Sequence, residues 1–109
     1  MNVAKLVVTE RFSEYPAGRY RVDGNFSGEV FREDYLIPLL KSHEAVSVDL
    51  DGAMGYGSSF LEEAFGGLVR EHHFSPAQLK QKLRFKSDEE PSLIEEIWFY
   101  IDSARARAR

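Results

Sequence analysis

Two periods of apolar and polar residues alternate along this chain, and each change of period marks an element. Ala4-Lys5-Leu6-Val7-Val8 reads as a first strand, and Tyr20-Arg21-Val22 as a second with arginines on its other face. Tyr15-Pro16-Ala17-Gly18 lies between them with turn chemistry, so the two segments are expected to pair as an antiparallel ribbon. Ser27 then stands as an N-cap, with Phe26 and Phe31 at the spacing of a hydrophobic staple. The helix that follows carries Phe31, Tyr35, Leu36, Leu39 and Leu40 inward, and Pro38 is expected to bend or end it near Ile37.

Ala45-Val46-Ser47-Val48-Asp49-Leu50 is the clearest strand, closed by Asp51-Gly52. Beyond a loop with Gly52, Gly55 and Gly57, a second helix opens at Ser58-Ser59, where Ser59 and Glu62 have capping-box spacing. Its apolar stripe is Phe60, Leu61, Ala64, Phe65, Leu68 and Val69. Gly66-Gly67 inside it costs about 1 kcal/mol per glycine against alanine, which implies a close neighbour, expected to be the sheet. Ser75-Pro76-Ala77-Gln78 starts a short helix, Leu83-Arg84-Phe85 forms a strand, and Ser92 opens a last helix with Ile94, Ile97, Trp98 and Ile101 inward. Trp98 reads as core at this spacing rather than as a stacking platform for bases. The predicted fold is α/β, a single domain over residues 1–109 with a small mixed sheet of about four strands.

Composition narrows the chemistry. With 109 residues and 43% hydrophobic content the chain can bury one core, and zero cysteines exclude disulfides, thiolate metal sites and cysteine nucleophiles. The net charge of −4 argues against a general nucleic-acid coat. It hides an asymmetry, because residues 103–109 hold three arginines and leave a body of 11 cations and 18 anions. That tail is expected to be flexible, as a frayed helix end suited to the helix dipole or as a grip for an acidic partner or RNA. No apolar run approaches the roughly 20 residues that span a bilayer, and the N-terminus lacks the features of a signal peptide, so a cytoplasmic protein is expected.

Enzyme motifs are lacking: there is no phosphate-cradling glycine loop, no dinucleotide fingerprint and no glycine pair around Ser58 at nucleophile-elbow spacing. His72 and His73 are adjacent and point apart, and His43 is distant, so neither a metal site nor a catalytic residue is expected, and no cofactor. Two helix starts remain as candidate sites. At the second, free amides and the dipole would welcome a phosphate on Ser58, while Glu62, Glu63, Asp49 and Asp51 would repel it unless Arg19, Arg21 or Arg32 folded over it. Such opposed terms make a switch, although Ser58 and Ser59 could simply cap the helix. The alternative is a cleft between the helix starts at Ser27 and Ser58, lined by Ser27-Gly28-Glu29, Arg32-Glu33, Ser58 and Glu62, holding a small anionic ligand or nucleotide as a sensor or cryptic enzyme.

The stretch from Val46 to Arg70, VSVDLDGAMGYGSSFLEEAFGGLVR, resembles the core of the STAS-like family of bacterial domains. More distantly it is similar to the STAS domains of anti-sigma factor antagonists and sulfate transporters. In those antagonists an Asp-Ser-Ser/Thr-Gly sequence enters a helix and holds a hydroxyl phosphorylated by a histidine-kinase-type ATP-binding partner. Gly57-Ser58-Ser59-Phe60 takes that place here, with Gly57 for the aspartate and Phe60 for the glycine. The resemblance implies a non-catalytic regulatory module that docks to a protein partner. Ser58 and Ser59 are then the phosphorylation candidates; with the cleft reading, the candidates for binding a partner or a ligand are Ser27, Arg32, Asp51, Gly57, Phe60, Glu62 and Glu63.

Overall fold

β1 (Val3–Val7), β2 (Ala45–Asp49) and β3 (Leu83–Lys86) run parallel in the order β1-β2-β3. The fold is taken from a computed structural model that describes residues 2–107. In register, Leu6 stands beside Val48 and Val48 beside Phe85. Burial alternates along β1, so Ala4 and Leu6 enter the core while Val3 and Lys5 face solvent.

The expected sheet of about four strands is therefore corrected to three, all parallel rather than mixed. Tyr20-Arg21-Val22 is not a strand. Asp23 Oδ2 accepts the amides of Arg19 (3.2 Å) and Tyr20 (2.8 Å), curling residues Arg21–Asp23 into a single 3-10 turn. Val22 is left 91% exposed, and β1 takes β2 as its neighbour instead of the predicted ribbon.

Two long helices cross between the strands: α1 over residues 28–42 and α2 over residues 58–72. Ser27 caps α1 as expected, its Oγ accepting the Val30 amide at 3.2 Å, and Phe26 and Phe31 both pack on Phe12 at 5.7 and 5.1 Å between ring centroids. Pro38 does not end α1, which continues to Ser42. The helix widens to π geometry over Phe31–Leu36, where the Ile37 amide donates to the Arg32 carbonyl; the widened turn accommodates the proline ring. α2 contains a second π segment, Glu62–Gly66.

α3 (Pro76–Lys82) begins on the predicted capping box: Ser75 Oγ accepts from the Gln78 amide at 3.1 Å, and Gln78 Oε1 from the Ser75 amide at 2.8 Å. α4 (Ser92–Ser103) packs on α2 through Leu93, Ile97 and Ile101, with Ile94 less buried than the sequence pattern implied. Trp98 is partly buried against the core, edge-on to Phe85 at 5.5 Å. Aromatic rings form the centre: Phe31, Phe60 and Phe65 are almost wholly buried between the helices and the sheet, and Phe65 meets Phe85 edge-on at 5.3 Å.

After Ser103 the chain turns extended, and the tail that was expected to be flexible makes two contacts with α2. The Arg107 amide donates to the Arg70 carbonyl at 2.9 Å, and its guanidinium grips the Glu71 carboxylate. Ala108 and Arg109, the last part of that tail, lie outside the described residues.

Candidate functional site

α1 and α2 start beside each other. A Cβ on Gly28 would lie 2.5 Å from the Phe60 carbonyl oxygen and 3.0 Å from the Ala64 amide nitrogen, so only glycine lets the two backbones approach this closely. This contact closes the space between the helix starts. Ser27 is fully buried with its hydroxyl spent on the cap, and it presents nothing to a ligand.

α2 opens differently from its prediction. Its N-cap is Gly57 in extended conformation without a side-chain hydrogen bond, and the first helical bond runs from the Leu61 amide to the Gly57 carbonyl at 3.1 Å. Ser58 and Ser59 are the first two helical residues and both are exposed. The Ser59–Glu62 capping box does not form, because the helix starts one residue before Ser59 with Gly57 as its cap, and Glu62 has other partners. Its carboxylate accepts from Arg19 Nη1 at 2.5 Å and from Arg70 at 2.9 and 3.2 Å. Burial pushes the Glu62 carboxyl up, but the hydrogen bonds from Arg70 and Arg19 outweigh it and hold it below the usual range.

The other candidates divide between surface and interior. Gly57 is exposed, whereas Phe60 is core, stacked among Phe31 and Tyr56. Asp51 turns toward the segment after β3: it accepts from Lys86 Nζ (2.7 Å) and from the amides of Asp88 (3.1 Å) and Glu89 (3.0 Å). The Lys86 bond first, then the Glu89 and Asp88 amides, lower its pKa to about 2. It braces a loop rather than facing Ser58.

Arg32 and Glu63 are both 3% exposed and joined across the α1–α2 interface. Arg32 Nη1 donates to Glu63 Oε2 (2.7 Å) and to the Glu63 carbonyl (2.6 Å). Arg32 Nε donates to Glu33 (2.7 Å), and Glu33 meets His72 Nε2 at 2.6 Å. Burial raises the Glu33 carboxyl, and the bonds from Arg32 and His72 bring it net below its ordinary value. Glu63 also accepts from Arg19 (3.1 Å) and Arg70 (3.2 Å), so one network spans the helices and the loop before α1. Gly67 leaves the room that the Arg32 guanidinium occupies, and Gly66 lies against the Glu62 carboxylate and the Tyr100 carbonyl. The predicted close neighbour of Gly66-Gly67 is this ionic network and α4, not the sheet.

Sequence reasoning placed Glu33 beside Arg32 in a candidate cleft, but missed Arg70, His72, Glu71 and Arg107 as parts of the network. Gly66-Gly67 signalled a close approach, but nothing in spacing named Arg32 as its cause. The network floors an open cleft of about 720 Å³ on the flank of α1 and α2. Among the described residues no group of histidine and acidic side chains is arranged to hold a metal ion, and no helix is long and apolar enough to cross a membrane.

The model of the STAS-like domain of unknown function (DUF4325) matches residues 27–93, from the α1 cap into the first turn of α4. This chain belongs to the STAS-like family. The matched span holds both long helices, β2, β3 and the Arg32–Glu63 pair, while β1 and most of α4 lie outside it. No curated protein and no solved structure matches the STAS-like chain.

Proposed function

We propose that this STAS-like chain is a non-catalytic regulatory module that docks to a protein partner through the start of α2, with Ser58 or Ser59 as the hydroxyl a partner kinase modifies. The observation that carries the reading is the state of those two residues. Both are exposed, neither is consumed as a cap, and they stand on the first turn of a helix whose leading amides lack intrahelical partners. A phosphate there gains the amides and the dipole, adds about −1.5 to −2 charge at neutral pH, and stands one turn from Glu62. That change suffices to alter docking. Met54, 75% exposed in the loop that leads to α2, supplies an apolar side chain for docking. A histidine-kinase-type ATP-binding protein in the cytoplasm is the partner that the family resemblance favours.

The sensor alternative required Ser27 at an open cleft, and the burial of Ser27 weighs against it. The test is purification from the native cell with mass-spectrometric mapping of Ser58 and Ser59, alongside Ser58→Asp and Ser59→Asp chains. Phosphate on either serine and altered partner retention by the aspartate variants support the module. Unmodified serines together with unchanged retention by folded variants end this reading, and a raised melting temperature with saturating nucleotide restores the alternative.

A further inference from the structure

The flank of α1 and α2 carries a second site, separate from the start of α2. Five carboxylates line its cleft: Glu29, Glu33, Asp34, Glu63 and Glu71. The arginines of the cleft wall are already engaged. Arg21 holds Asp34 in a two-bond fork at 2.9 and 2.6 Å, and Arg32 is locked between Glu33 and Glu63. An added anion would meet no available guanidinium and an excess of negative charge. A cation is favoured.

The chain itself supplies one. Past the end of α4 the backbone is extended, and Arg107 lays its guanidinium on Glu71, with Nε 3.1 Å from Oε1 and Nη2 2.5 Å from Oε2. The main chain adds a bond from the Arg107 amide to the Arg70 carbonyl. Glu71 is itself one of the carboxylates that line the cleft, so this ion pair holds the tail at the cleft's rim. Arg107 remains largely exposed, so its ion pair is of the weak, exchangeable kind.

We propose that the cleft is a recognition groove for an extended, arginine-bearing peptide segment, and that the chain's own Arg107 holds the Glu71 end of that groove until a basic partner segment displaces it. A planar guanidinium satisfies a carboxylate through two parallel bonds, as Arg107 does on Glu71, which a lysine ammonium cannot match. The site does not depend on modification of Ser58.

The test uses the full chain and a fluorescein-labelled peptide of the tail sequence, Ser-Ala-Arg-Ala-Arg-Ala-Arg, followed by fluorescence anisotropy at low ionic strength. Arg107→Gln frees Glu71 and should bind the peptide about tenfold more tightly than the unaltered chain. Adding Glu71→Gln to that variant should weaken binding about tenfold, and a lysine-for-arginine peptide should bind less well than the arginine peptide. Both substitutions lie at the surface, and melting curves establish that the variants are folded. Equal affinity of the unaltered chain and Arg107→Gln, insensitivity to Glu71→Gln, equal binding of the lysine peptide, or no binding at all would each overturn the proposal.

Discussion

Replacing Gly67 by alanine puts two effects in direct opposition. Alanine inside a helix is worth about 1 kcal/mol over glycine, so propensity alone predicts a more stable protein. The new methyl, however, would overlap Arg32 Nη1 and lie 2.9 Å from Cζ and 3.1 Å from Cδ, so the whole guanidinium must move and not just its tip. Moving it breaks the bonds of Arg32 to the Glu63 carboxylate and carbonyl inside the interface. Breaking a buried pair costs about 3–5 kcal/mol. Glu63 keeps Arg19 and Arg70, which moderates the loss, and the helix gain offsets part of it, leaving a net destabilisation of about 2–4 kcal/mol. Urea unfolding of Gly67→Ala, Arg32→Met and the double variant measures it. Because Arg32→Met removes the obstructing guanidinium, Gly67→Ala should cost less than about 1 kcal/mol in that background. A Gly67→Ala chain as stable as the original, or an equal cost in both backgrounds, would refute the argument.

Gly28→Ala drives a methyl against the Phe60 carbonyl and the Ala64 amide, both main chain, and should lower stability by about 1–3 kcal/mol in the same assay. Tyr56→Phe removes the hydroxyl that donates to the Leu50 carbonyl at 2.9 Å, and a loss of about 1 kcal/mol is expected from urea midpoints. Asp51 titrates at about 2 in the folded chain against an ordinary 3.8, so its contribution is full above about pH 4 and lost as pH falls toward 2. Melting temperatures across that window should fall less steeply for Asp51→Asn than for the unaltered chain.

What the sequence made legible was local. The β2 strand, the Ser27 cap and the Ser75–Gln78 box each rest on residues within a few positions of one another, and each formed. The failures have one physical cause, competition from distant partners. Glu62 has the right spacing for a box with Ser59, yet the helix caps two residues earlier at Gly57, and two arginines, 43 positions before Glu62 and 8 after it, take its carboxylate. Tyr20-Val22 alternates over only three residues, too short to hold a register once Asp23 captures its amides. Of the flank cleft only the α1 side, Glu29, Arg32 and Glu33, was legible, because its other side chains come from the loop before α1 and from α2, with no shared period.

An arginine and a glutamate are a poor choice for joining two helices if stability is the only demand, since apolar residues of the same volume serve as well or better. The surrounding rings already supply apolar packing between α1, α2 and the sheet. Keeping ions at Arg32 and Glu63 brings further costs: Gly67 in the middle of α2, and a π segment in each helix at the level of the pair. α3 and α4, away from the cleft, are regular α-helices. Where a chain obeys local rules elsewhere and departs from them in one place, the departure marks the surface on which function acts. Here the departures converge on the wall that Glu33, Glu63 and Glu71 line and whose rim Arg107 holds through Glu71, so the two contacts proposed above, the exposed first turn and the acidic flank, both lie on α2.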